Sequence, residues 1–191
     1  MIRQFLVAAA LCVPIVLSAQ QPTRSDLSNG VARTFLSFGQ PYGGWILQAL
    51  DSIPQTQYGF RPVPIQRSIG NIAQHLESAN YDLCSMVGRT KREMTAKDSL
   101  SDTIKAQWPK DTLISRVRAS LVFCQTAIMQ LTDAQLADTL MDASPSGPRP
   151  VLRARYLMLL ITDLAEHYSQ LAGYMRILGL VPPSALPRPS R

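Results

Sequence analysis

The chain has 191 residues, of which 46% are hydrophobic and 17% charged, and its formal net charge is +6. This length suits one domain with a single sizeable core. The basic balance does not predict nucleic-acid binding, because the arginines near the C-terminus are spread out and form no continuous run. They are Arg149, Arg153, Arg155, Arg188 and Arg191.

The first 19 residues have the pattern of a secretory signal peptide. Arg3 precedes an apolar run over residues 5–17, and Ser18 and Ala19 are small residues at which cleavage is expected. The run is too short to span a membrane. We therefore expect a periplasmic or secreted protein with no membrane contact once the signal is removed. Its domain would cover residues 20–184, followed by a proline-rich tail over residues 185–191.

Helical spacing of apolar residues over residues 27–52 predicts a first helix. Pro41 and the glycines that follow it predict a kink or a break within this helix. An extended loop should come next, because Pro62 and Pro64 exclude a helix there.

A second helix is predicted to begin at Ser68, a favourable N-cap, and to end at Gly88. It carries His75 among its apolar positions. Residues 89–108 are charged and irregular, which predicts a long connection across the molecule. A third helix should then cover residues 111–130, followed by a cap or a short extra turn.

The proline-rich segment over residues 142–150 is predicted to be a linker, and the longest helix should follow over residues 151–178. Its predicted inner face is apolar except for Asp163 and His167, and polar groups on a buried face need an explanation. That face comprises Leu152, Tyr156, Leu160, Asp163, His167, Leu171 and Tyr174. No convincing strand is predicted, so the fold class is all-α.

The chain has only two histidines, and both lie on predicted helices. Asp163 and His167 are four residues apart and share a helix face, and a facing helix could bring His75 to the same place. Two imidazoles and a carboxylate form a ligand set for a divalent metal ion such as zinc or iron. In the alternative interpretation, Asp163 and His167 form a buried hydrogen-bonded pair beside His75. Glu166 is either a fourth ligand or general base, or a charge that faces solvent.

Two cysteines, Cys84 and Cys124, lie within the second and third predicted helices. In an oxidising compartment they could form a disulfide that closes a loop of about 40 residues and stabilises the fold by about 2–4 kcal/mol. The alternative is a pair of buried thiols that pack as small hydrophobic side chains.

Two groups of residues resemble signatures of the DinB-like family. One begins with Phe60, Arg61 and Pro62 and continues over residues 67–70 to His75, then to residues 79–81 and Cys84. The other is Glu166, His167 and Tyr168, followed by residues 170–171, 174–176 and 179–183. The resemblance covers residues 27–184.

This resemblance implies a four-helix bundle with an up-down-down-up path and a long crossover between helices two and three. It also implies a divalent metal (Zn, Ni or Fe) held by three histidines, one on the second helix and two spaced by four on the last. His75 and His167 match two of these positions, and Asp163 stands at the third.

Family members with assigned chemistry are thiol-dependent transferases and isomerases or metal-dependent hydrolases. The resemblance therefore implies a metal-dependent hydrolase or thiol-dependent transferase that acts on a small molecule, with metal ligands His75, Asp163 and His167 and Glu166 as a catalytic residue. The alternative is a non-catalytic secreted bundle whose metal site is degenerate and which serves as a binding or structural module. Homodimerisation through helix faces is compatible with either interpretation.

Overall fold

The computed structural model describes residues 28–143 and 147–187, and within them the chain is mostly helical, as predicted. The signal peptide and its cleavage site lie outside the described residues. The helices are α1 (Gly30–Ser52), α2 (Ile69–Gly88), α3 (Asp102–Lys105), α4 (Lys110–Met129) and α5 (Ala154–Ile177). Two short strands, β1 (Thr139–Asp142) and β2 (Arg149–Leu152), form an antiparallel pair.

The four long helices surround one apolar core. Helix α1 packs against α4 and α5, and α2 packs against the same two helices from the other side. Their helical periodicity places aliphatic side chains on the inner faces, where burial is the main stabilising contribution. Fully buried examples are Ile46, Leu50, Ile72, Leu76, Leu113, Leu171 and Met175. The predicted up-down-down-up path of the helices stays a prediction.

The ends of α1 and α2 are fixed by specific polar contacts. The Ser68 hydroxyl accepts a hydrogen bond from the Asn71 amide at 3.2 Å, which confirms the predicted N-cap of α2. The start of α1 is capped from a distant part of the chain, because the Asp133 carboxylate accepts hydrogen bonds from the amides of Val31 and Ala32. Each carboxylate bond satisfies an amide that has no partner within the helix.

Three predicted features of the secondary structure are wrong. Helix α1 continues through Pro41, so the predicted alternative of a break is wrong, whereas a kink there stays a prediction. The segment predicted as a linker instead ends β1 and begins β2, and α5 starts at Ala154 rather than at residue 151. Leu152 consequently lies in a strand and is 56% exposed, outside the inner helix face to which it was assigned. Pro150 is compatible with this two-stranded hairpin because an edge strand tolerates a residue without an amide proton.

The long connection between α2 and α4 is anchored by a buried cluster of charges. Glu77 and Asp98 are almost completely buried, and both form ion pairs with Arg116 and Arg92. The guanidinium of Arg116 also lies 4.8 Å from the centre of the Trp108 ring. These contacts hold the connection against both long helices, although the sequence predicted only an irregular segment.

A disulfide joins Cys84 on α2 to Cys124 on α4, with 5.1 Å between the Cα atoms. The alternative of two buried thiols is therefore wrong. The bridge closes a segment of 40 residues that includes the whole connection.

None of the helices within the described residues is long and apolar enough to cross a membrane.

Candidate metal centre

The candidate site lies between α2 and α5. His75 is on α2, and Asp163 and His167 are one turn apart on the facing side of α5. The i, i+4 spacing brings the last two side chains to one helix face, as the sequence predicted. Packing of α2 against α5 then brings His75 to the same point.

One carboxylate oxygen is shared between the two imidazoles. Asp163 Oδ1 lies 3.3 Å from His75 Nε2 and 3.3 Å from His167 Nε2. The two rings contact each other nearly at right angles, with 4.7 Å between their centres. Each residue offers one donor atom to a group in which all donors lie within 4.8 Å of one another. The structure therefore brings together all three residues that were predicted as metal ligands.

The site is buried at one side and open at the other. The side chain of His167 is 2% exposed, whereas those of Asp163 and His75 are 21% and 28% exposed. The group is therefore exposed to solvent on the side of His75 and shielded from it at His167.

Burial and the charge of the neighbouring group have opposite effects on the pKa values of Asp163 and His167. Burial alone would raise the pKa of Asp163, but hydrogen bonds and charge from His167 and His75 outweigh it and hold that pKa well below its usual range. Burial would lower the pKa of His167, but the Asp163 carboxylate, with help from Gln170 and Glu166, raises it. The carboxylate is therefore ionised, and His167 faces a site that favours positive charge.

Gln170 fixes which nitrogen of His167 faces Asp163. Its Nε2 donates to Glu166 at 3.4 Å, so its Oε1 faces His167 Nδ1 at 3.0 Å and accepts a hydrogen bond from it. In the neutral ring Nε2 then carries a lone pair directed at an anionic oxygen. That arrangement is repulsive unless a proton or a metal cation lies between the two atoms.

The role of Gln170 was missed in the sequence, although its i+3 spacing from His167 was a signal that could have revealed it. Glu166 is exposed and contacts Gln170. It does not belong to the group of three donors. Its observed contact therefore positions Gln170, and its role as a general base stays a prediction.

Arg67 is a second neighbour that the sequence did not single out for this site. Its Nη2 lies 3.5 Å from His75 Nδ1. The backbone at Arg67 is held in place because its carbonyl accepts a hydrogen bond from the Tyr174 hydroxyl at 3.0 Å. A guanidinium only donates hydrogen bonds, so this contact favours a His75 tautomer with its proton on Nε2.

The three side chains fit a divalent metal ion. Two ligands at about 2.1 Å from one ion in tetrahedral geometry are separated by about 3.4 Å, which matches the distance from Asp163 to each imidazole. All three donors lie within 4.8 Å of one another, so the two imidazoles would move together on binding an ion. In addition, Asp163 Oδ2 is buried without a hydrogen-bond partner among the described residues. An unpaired buried carboxylate oxygen is costly, and a cation beside it would remove that cost.

A sequence model of the DinB superfamily matches residues 46–171, a stretch that contains all three donors. Because this match covers more than half of the chain, the protein belongs to the DinB superfamily. No curated protein sequence is significantly similar to it.

Several solved structures share the fold. A DinB-like protein from Bacillus cereus is 21% identical with a TM-score of 0.60, over 79% of this chain and 95% of that one. A conserved protein from Enterococcus faecalis is 16% identical with a TM-score of 0.62, over 78% and 98% of the two chains.

A mycothiol-dependent maleylpyruvate isomerase is 12% identical with a TM-score of 0.59, over 73% of this chain. This chain spans 60% of the length of the isomerase. At these identities the similarity establishes the fold alone.

Proposed function

We propose that this protein holds a divalent metal ion through His75, Asp163 and His167 and uses it as a hydrolase or a thiol-dependent transferase on a small molecule. The observation that carries the proposal is the position of Asp163 Oδ1, 3.3 Å from Nε2 of both imidazoles, together with the Gln170 contact that directs the His167 lone pair inwards. Zinc, nickel and iron all accept this ligand set.

A metal bound here would supply Lewis acidity, which lowers the pKa of a water or thiol nucleophile and polarises a substrate oxygen.

The protein would contribute open coordination positions, the orientation of a ligand and a general base. Three side chains are fewer than the four to six ligands that such ions take, so positions stay open for substrate. Gln170 keeps His167 oriented, since partners of a ligating histidine fix its tautomer. Glu166, exposed one turn from Gln170, is the proposed general base.

One comparison supports a transferase over a hydrolase as the narrower assignment. The similar fold of a mycothiol-dependent isomerase favours a thiol as the co-substrate. We further propose that the protein is exported, since its first 19 residues have the pattern of a signal peptide.

The contact of Arg67 with His75 favours a second candidate function. If Arg67 donates to Nδ1, His75 carries its proton on Nε2 and donates it to Asp163 instead of binding a metal. The three side chains then form a metal-free hydrogen-bonded group, and the protein is a non-catalytic binding or structural module. Asp163→His distinguishes the two functions, because a degenerate site should gain metal whereas a working site should change its metal preference or lose activity.

Metal analysis tests the proposal directly. Protein carrying no histidine tag and purified without chelator should contain about one metal ion per chain by mass spectrometry, and His167→Ala should lose it. Asp82→Asn, an exposed aspartate on α2, is the control and should keep the metal. Equal, near-zero occupancy in the wild type and in His167→Ala, even after incubation with zinc, nickel or ferrous iron, would exclude the enzymatic function.

A further inference from the structure

A cavity lies between α1, α4 and α5, whereas the candidate metal centre lies between α2 and α5. Its volume is about 400 Å³, and it opens to the surface. Buried leucines of α5, at positions 157, 160 and 164, form one wall. None of the three candidate metal ligands lines it, so it needs an explanation of its own.

Glycines on α1 create much of this space. A Cβ atom at Gly43 would lie 3.2 Å from Leu121 Cδ2, so a side chain there would push against α4. A Cβ atom at Gly44, which also lines the cavity, would meet nothing within 4 Å. The exposed apolar residue Val122 continues the lining to the surface.

The rim of the cavity is polar and cationic. Arg118, Gln40 and Gln125 line it and are exposed, in contrast to the aliphatic interior. No acidic side chain within residues 28–143 and 147–187 forms an ion pair with Arg118. A guanidinium presents a planar set of donors that matches a carboxylate, and the two amides add further donors at the same rim.

We propose that this cavity binds the hydrocarbon chain of a medium-length fatty acid, with the carboxylate at Arg118. Ligand sites are commonly concave, mostly apolar, a few hundred cubic ångströms in volume and equipped with a few polar groups, and this cavity has all four properties. One unpaired cation at the rim matches one negative charge on the ligand. The site is separate from the metal centre, so it does not depend on the proposed enzymatic function.

Binding of decanoate, measured by titration calorimetry and compared with uncharged decanol, tests the proposal. The wild type should bind decanoate saturably at one site per chain and bind decanol more weakly. Arg118→Ala should weaken decanoate binding by about tenfold or more, because a charge-assisted hydrogen bond is lost, and should leave decanol binding unchanged. Gly44→Leu should fill the cavity and abolish the binding of both molecules.

Matched controls separate a specific effect from a general one. Gly173 on α5 is also a helical glycine at which a Cβ atom would meet nothing within 4 Å, but it does not line the cavity. Gly173→Leu and Arg33→Ala should therefore bind decanoate as the wild type does. Melting temperatures should show that both leucine variants are folded, since leucine is a better helix former than glycine.

Several outcomes would overturn the proposal. These are unsaturable binding by the wild type, retained binding in Gly44→Leu, and an equal loss of decanoate and decanol binding in Arg118→Ala. A dimer in sedimentation that dissociates in Gly44→Leu would show that this face binds a second copy of the chain instead. Asp163→Asn should bind decanoate normally, and a loss there would place the ligand at the metal centre.

Discussion

His167 and Asp163 face each other across one turn of α5, with 3.3 Å between Nε2 and Oδ1, and the imidazole is almost completely buried. Gln170 binds the far nitrogen of the ring and so favours this orientation. This relationship makes the pair suitable for a cation, and it leads to predictions that separate a metal centre from a purely structural group.

Gln170→Ala should weaken zinc affinity by about 10- to 100-fold, the usual effect of removing a partner that orients a ligating histidine. Gln170→Glu should retain most of the affinity, because a carboxylate also accepts the Nδ1 proton. Competition titration with a chelating dye measures both. Gln130→Ala, at an exposed residue just beyond α4, is the control, and an affinity unchanged in Gln170→Ala would show that this contact does not orient the ligand.

Arg67→Ala should raise the affinity for zinc by up to about tenfold. Arg67 donates to His75 Nδ1 and so favours the tautomer with its proton on Nε2, which cannot bind a metal through that atom. The substitution removes this donor. The same titration measures the change, with Arg61→Ala in the same loop as the control. A decrease in affinity would mean that Arg67 instead supports the site.

The buried charge cluster should make the fold sensitive to acid. Burial would raise the pKa of Asp98, but hydrogen bonds from Thr95 and the charge of Arg116 hold it well below its usual range. A lowered pKa in the folded state contributes stability above the unfolded pKa of about 3.9, and that contribution is lost as the pH falls through the folded pKa.

Asp98→Asn should therefore lower the free energy of unfolding at pH 7 and flatten its decline below about pH 4. Urea unfolding at a series of pH values measures this, and Asp82→Asn should keep the wild-type profile. Parallel wild-type and Asp98→Asn profiles would show that Asp98 does not link folding to pH.

Replacement of the disulfide with serines, Cys84→Ser together with Cys124→Ser, should lower the free energy of unfolding by about 2–4 kcal/mol, because the unfolded chain gains conformational entropy. Urea unfolding measures the loss. Reductant should destabilise the wild type by a similar amount and leave the double variant unchanged. Two free thiols in oxidised protein expressed from residue 20 onward would contradict the bridge.

Helical periodicity made most of this fold and the three donors predictable. The spacing of apolar residues located the four long helices, and the i, i+4 rule placed Asp163 beside His167. The position of His75 opposite them depends on how α2 packs against α5, and the family resemblance supplied that relationship. The metal itself stays a proposal.

Other features depend on tertiary contacts that no local pattern encodes. The glycines after Pro41 indicated a break, but Gly43 instead allows close contact between α1 and Leu121 of α4. The hairpin has strands of only four residues, too short to show a clear alternation. Asp98 belongs to a charged segment that was predicted only as an irregular connection, and only the fold reveals that its carboxylate is buried against Arg116.

X-ray absorption spectroscopy at the edge of the bound metal identifies the atoms that hold it. We expect a first coordination sphere with two imidazole nitrogens and at least one oxygen at about 2.0–2.2 Å, and the loss of one imidazole contribution in His75→Ala. Sulfur ligands, or a spectrum that is the same in the wild type and in His75→Ala, would contradict a metal held by His75, Asp163 and His167.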